Sequence, residues 1–197
     1  DKVLHVKASG TCLSDAEEKD IFVPVDIQHV LELISSKQFD KTPKIIGASS
    51  LRPSIETFFH ALLPHKVVVH VHSVETLSIL IQSNAKSILK NKLGSDFNWA
   101  MVGYHKPGSE LAYAVHNIIN KNPDIDVIFL KNHGLIVGGK SFSDVESTLT
   151  SVVERCKSCK KNNHEDVFIE PNISIPNKYS FLNDGCIQAL ALDSNLF

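Results

Sequence analysis

Val127-Ile128-Phe129-Leu130-Lys131-Asn132-His133-Gly134-Leu135-Ile136-Val137 decides how this chain is layered. Two apolar runs, each too short for a helix, flank Asn132-His133-Gly134, a segment suited to a tight reversal. That pattern predicts two antiparallel strands closed as a hairpin, with the glycine letting the backbone turn. Val127 to Leu130 has no polar alternation, so the first strand is expected to be covered on both faces.

Working outward, the remaining punctuation alternates helices with strands. Asn122-Pro123-Asp124 closes a helix expected over 109–121, which is entered from a strand at 98–103 through Lys106-Pro107-Gly108. Before that, Ser73 can cap a helix containing Thr76 to Ser83. Residues 66–72 read as a Val-rich strand, and Ser54 is a candidate cap for a short helix ending near Leu62. Asp26 can cap a helix from Ile27 to about Ser35, with Ile27, Val30, Leu31 and Ile34 on one face; residues 36–44 are polar loop. A strand at 2–8 and an extended stretch at Ile21-Phe22-Val23-Pro24 come first. Ser143-Asp144-Val145-Glu146 reads as a capping box opening a last helix to about Lys161. Helices and strands in alternation, with one hairpin among them, predict a layered α/β domain whose sheet is mixed or antiparallel.

With 197 residues, the chain is long enough for one domain with a full core. Its 20 Lys and Arg against 22 Asp and Glu give a formal charge of −2, which excludes the overall basic footprint of a general nucleic-acid binder. The best apolar stretch, Val67 to His72, is interrupted by two histidines, so no membrane span is expected. Four scattered cysteines do not make a disulfide framework, and a reducing cytoplasm is the expected location. Cys156 and Cys159 share a CxxC spacing but read as neighbours on successive helical turns. Strand-like alternation from the first residue, without a leader or initiator methionine, predicts a chain entered in the middle of something longer.

The ten histidines matter by position. In a strand alternate side chains share a face, so His70 and His72 point one way and Val69 and Val71 the other. Two imidazoles on one face can share a metal ion, and His133 in its turn is the candidate third ligand, leaving an open position for substrate. The competing reading makes His70 and His72 solvent-facing strand residues and His133 a turn residue. Glu56 lies one helical turn from His60 and just upstream of the His-x-His strand. It is a candidate fourth ligand or general base, or else a helix N-terminal acid that only complements the dipole.

Four segments taken in order, Arg52 to Pro64, Val69 to Ser73, Tyr104 to Ala112 and Leu130 to Leu135, resemble the class II aldolase/adducin family. The resemblance runs from about Val6 to Cys156 and looks closest to fuculose- and rhamnulose-phosphate aldolases. It implies a three-layer α/β/α fold with a central mixed, mainly antiparallel sheet, occupying residues 1–162, with 163–197 as a tail or the start of an extension. The activity implied is that of a zinc-dependent aldolase on a sugar phosphate, with Mn2+, Co2+ or Fe2+ as alternative ions. By the same resemblance His70, His72 and His133 hold the metal, and Glu56 is the catalytic acid/base. Tyr104 is a tyrosine, supplied across a subunit boundary, that protonates the aldehyde oxygen; at its own position it reads equally as a strand-ending residue. Ser9, Gly10 and Ser54 match substrate-phosphate contacts, and either serine could equally be a cap. A homo-oligomer, as a tetramer, is implied because the family's sites form between subunits.

Two departures stand out. The family's first helix and its Gly-Asn-Ser/Thr phosphate turn would precede Asp1, and Ile55 stands where simple aldolases carry a second serine. The Arg-Pro-Ser form looks more like longer aldolase-like proteins, some with a second domain, whose beginning the tail from Tyr179 to Phe197 would be. On the same fold, pentose-phosphate 4-epimerases usually carry aspartate at the Glu56 position, and adducin-type interaction domains lack the metal ligands. Dehydratases and decarboxylases could use the same metal site.

Overall fold

The computed structural model describes residues 3–157. Its centre is a four-stranded sheet of β3 (Val67–Val71), β4 (Trp99–Val102), β5 (Val127–Leu130) and β6 (Gly134–Gly139), in the order β3-β6-β5-β4. The expected hairpin is β5-β6, antiparallel with Leu130 opposite Gly134. β3 also runs antiparallel to β6, whereas β4 is parallel to β5, so the sheet is mixed and mainly antiparallel. β1 (Val3–Lys7) and β2 (Phe22–Asp26) form a separate antiparallel pair.

Alternation along β5 and β6 divides the core into two layers. Ile128, Leu130 and Ile136 pack with α1 (Ile27–Ser35), α2 (Thr57–Leu62), α5 (Ser109–Lys121) and the β1-β2 pair. Val127, Phe129, Leu135 and Val137 face α3 (Val74–Leu80), α4 (Ala85–Leu93) and α6 (Phe142–Cys156). Helices therefore cover both faces of the sheet, which is the three-layer α/β/α arrangement. It explains why β5 is apolar at every position: all four of its residues are buried.

Asp26 caps α1 as expected, accepting from the Gln28 and His29 backbone N–H groups at 3.0 and 3.2 Å. The buried face of α1 is Val30, Leu33 and Ile34, which join the core with residues of β2 and α2, while Leu31 is exposed. α3 ends at Leu80, short of Ser83. α4 has no strong local signal; Ala85, Leu89 and Leu93 recur at four-residue spacing and form its buried edge. α6 is capped by Ser141, whose hydroxyl accepts from Asp144 N, so Ser143 is inside the helix and is not its cap. That helix stops at Cys156, with Lys157 extended after it. Ser54 likewise is not the terminal cap of α2: Glu56 occupies that position, and the Ser54 hydroxyl accepts from Glu56 N at 3.2 Å.

Cys12 is exposed and Cys156 buried, both as free thiols. Cys159, Cys186, Tyr179 and the expected boundary between 1–162 and 163–197 lie outside the described residues. Among the described residues no helix is long and apolar enough to cross a membrane.

Candidate metal centre

Strand direction gathers the histidines. Because β3 and β5 both run antiparallel to β6, and β4 follows β5, the C-terminal ends of β3, β4 and β5 meet at one edge of the sheet. His70 and His72 arrive there from β3, Tyr104 from beyond β4, and His133 from the β5-β6 turn. Val69 and Val71 pack into the opposite core layer, as strand alternation requires.

The three rings form a near-equilateral triangle. Centroids lie 5.0 Å apart for His70 and His72, 5.0 Å for His70 and His133, and 4.9 Å for His72 and His133. One ligating atom from each of the three lies within 4.8 Å of the others. The His70 Nδ1–H donates to the Leu135 carbonyl at 3.0 Å, which leaves its Nε2 with a free lone pair in the neutral ring. That Nε2 lies 3.2 Å from His72 Nε2. With the His72 proton on Nε2 this contact is a ring-to-ring hydrogen bond, and with that proton on Nδ1 both Nε2 lone pairs face the space between the rings. Phe59 meets the His70 ring edge-on at 5.5 Å and restrains its orientation.

Glu56 closes the cluster from the start of α2. Its Oε1 is 3.0 Å from His133 Nε2 and its Oε2 3.3 Å from His70 Nε2. The side chain is only 15% exposed, with His70 and His133 at 9% and 10%. Burial alone would raise the carboxyl pKa, but the interactions with the adjoining His133 and His70 rings outweigh it and hold the group well below the usual carboxylate range. What burial His72 has, and then the neighbouring His70 and His133 rings, lower its pKa and favour the neutral imidazole, the form able to bind a metal ion. His60, one turn beyond Glu56, donates through Nδ1 to the Val68 carbonyl at 3.0 Å and pins α2 to β3. The donor chemistry therefore fits a borderline-soft divalent ion such as zinc: three imidazole nitrogens, with a carboxylate beside them.

The glycine after His133 is needed for a different reason from the one expected. Asn132, with φ of 55°, makes the reversal, and Gly134 is already in β6. A Cβ on Gly134 would meet the Val71 carbonyl oxygen at 2.5 Å and the His72 ring at 2.8 Å.

The other expected residues are more dispersed. Ser9 N donates to the Arg52 carbonyl at 2.9 Å, and Ala8 bridges to Pro53, so the Ser9-Gly10 loop runs beside the Arg52–Ser54 segment. Ser9 and Gly10 are exposed, and Gly10 has φ of +77°. Tyr104 shares the sheet edge but stands 61% exposed, and among the described residues no hydrogen bond joins it to Glu56 or the histidines. The Leu135 carbonyl that orients His70 was not legible in the sequence; only the strand register supplies it.

A family model described as Class II Aldolase and Adducin N-terminal domain matches residues 1–159. The chain belongs to this family. This class II aldolase and adducin N-terminal domain is 28% identical over 174 residues to the Bacillus subtilis (strain 168) protein named Uncharacterized oxidoreductase YuxG. The match takes in 83% of this chain and 25% of that protein, so the chain spans about a quarter of its relative's length. Among solved structures it is similar to the N-terminal class II aldolase domain of a conserved protein from Thermoplasma acidophilum. That likeness has 30% identity and a TM-score of 0.65, covering 78% of this chain and 73% of that one. An L-fuculose 1-phosphate aldolase structure shares the fold at 15% identity, with a TM-score of 0.54 and coverage of 79% and 68%.

Proposed function

We propose that this domain is a metal-dependent aldolase, an aldehyde-lyase that cleaves or forms a carbon–carbon bond in a sugar phosphate. The observation that carries the reading is Glu56, a buried carboxylate held by two of three clustered imidazoles, in a chain whose family includes aldolases. His70, His72 and His133 would hold the ion, with Zn2+ the first choice and Mn2+, Co2+ or Fe2+ as alternatives. When bound, the ion would supply Lewis-acid polarisation of the carbonyl and hydroxyl oxygens of the ketose.

The rest of the chemistry belongs to the protein. Glu56, ionised while the histidines hold it, is a weak base; once substrate displaces those contacts, its burial raises its proton affinity. It then takes or returns the proton on the carbon next to the carbonyl. Tyr104 is the proposed donor to the aldehyde oxygen. Its exposure in one chain suits a role beside a second copy, and a homotetramer is the proposed assembly. The Ser9-Gly10 loop and Ser54 are the proposed contacts for the phosphate, through backbone N–H groups and hydroxyls.

The test is metal content per chain after purification without chelator, read by elemental mass spectrometry beside a His70→Ala/His72→Ala control. About one ion per wild-type chain and almost none in the control is expected. No metal even after reloading would overturn the proposal.

A further inference from the structure

Lys131 is half-buried and forms no ion pair among the described residues. Its ammonium instead donates to two main-chain carbonyls, Leu80 at 3.3 Å and Gln82 at 2.9 Å, at the C-terminal end of α3. The carbonyls that end a helix have no partners within it and carry the negative end of the helix dipole, so a lysine is well matched to them. The backbone is pinned separately: Lys131 N donates to the Val102 carbonyl of β4 at 3.0 Å.

What this joins is more telling than the cap itself. α3 is capped by Ser73, the residue after His72, with the Ser73 hydroxyl accepting from Thr76 N. Lys131 starts the turn that presents His133. One side chain therefore links the far end of the helix that follows His72 to the turn that carries His133, two residues away. Asn132, in a left-handed conformation, leaves the turn little latitude to compensate if that anchor is lost.

We infer that Lys131 is a positioning residue that sets the distance between His133 and the His70/His72 pair, and so tunes metal affinity from outside the ligand set. This rests on the metal-centre reading above. Residues one step removed from ligands commonly change metal affinity by about 10–100-fold when replaced.

The experiment uses the full chain as Lys131→Met, Lys131→Gln and Lys131→Arg. Metal affinity is measured by competition with a chromophoric chelator, the d–d spectrum of the Co2+ form is recorded, and the melting temperature of the metal-free protein is followed alongside. Expected for Lys131→Met and Lys131→Gln is at least about a tenfold loss of Zn2+ affinity with an altered Co2+ spectrum, and substantial rescue by Lys131→Arg. A helix cap with no further role would lower the metal-free melting temperature yet leave affinity and spectrum as in wild type, and that result overturns the inference alone. Should Lys131→Met fail to fold, Lys131→Gln, which stays polar but lacks the reach and charge of the ammonium, decides by the same two readouts. Wild-type protein that takes up no metal would overturn the metal-centre reading and the inference together.

Discussion

Gly134 sits directly beneath His72: a β-carbon there would come within 2.8 Å of the imidazole and 2.5 Å of the Val71 carbonyl oxygen. The β3-β6 pairing can bring His72 over the β5-β6 turn only because that position has no side chain. Gly134→Ala should therefore force β3 away from β6, at a cost of about 1–3 kcal/mol from overpacking. Differential scanning fluorimetry and zinc titration together check this: stability and metal uptake should fall in the same variant. Wild-type affinity in Gly134→Ala would mean the strands tolerate the shift.

Glu56→Gln should separate binding from chemistry. The amide keeps the shape of the carboxylate, and the three histidines are untouched, so metal content should stay near that of wild type. Turnover of a sugar-phosphate substrate should fall by about 10²–10⁴-fold, the usual contribution of a general base. Retro-aldol cleavage coupled to a dehydrogenase assay for the released triose provides the readout. Near-normal cleavage would remove Glu56 from the acid/base role.

Asn132 is one of two non-glycine residues with positive φ among those described, and the only one beside the histidine cluster. Asn132→Gly should fold with little loss, whereas Asn132→Val should cost about 1–2 kcal/mol, because a branched side chain resists the left-handed region. Urea denaturation of the two variants distinguishes backbone strain from loss of the amide: equal destabilisation in both would point to the amide.

Burial pushes the Cys156 thiol from 9.0 up to about 11, with the Lys92 charge opposing it. Near pH 8, about one Cys156 thiol in a thousand is then ionised. Iodoacetamide should label exposed Cys12 well before Cys156, as peptide mass spectrometry would report. The raised pKa also has a sign for stability. The unfolded thiol ionises first as pH rises past 9.0, so the contribution of Cys156 is intact below that pH and is lost through about 11. Cys156→Ala should flatten the fall in stability over that window relative to wild type.

Much of the fold was legible because its signals are local. The apolar run at Val127–Leu130, the turn after it, the His-x-His alternation and the Asp26 and Ser73 caps all act within a few residues, and each occurs where expected. Where structure and expectation differ, similar local signals compete. Ser141 and Ser143 can both accept from a first helical turn, and it is the Ser141 hydroxyl that accepts from Asp144 N, with Gly139 lying close against Val145. α4 is not legible locally because three lysines and an asparagine mask a narrow apolar edge, Ala85, Leu89 and Leu93, that matters only once the rest of its core layer is there to receive it.

By itself, then, the sequence determined which residues could be ligands and on what elements they ride, since side-chain alternation and turn chemistry depend on near neighbours alone. That Glu56 reaches His133, that Leu135 orients His70 and that Lys131 ties its turn to α3 depends on partners distant along the chain. Those partners are set by the β3-β6-β5-β4 strand order and by helices closing on both faces of the sheet. Strand order follows from burying two apolar layers at once, a property of the whole chain that no short stretch of residues encodes.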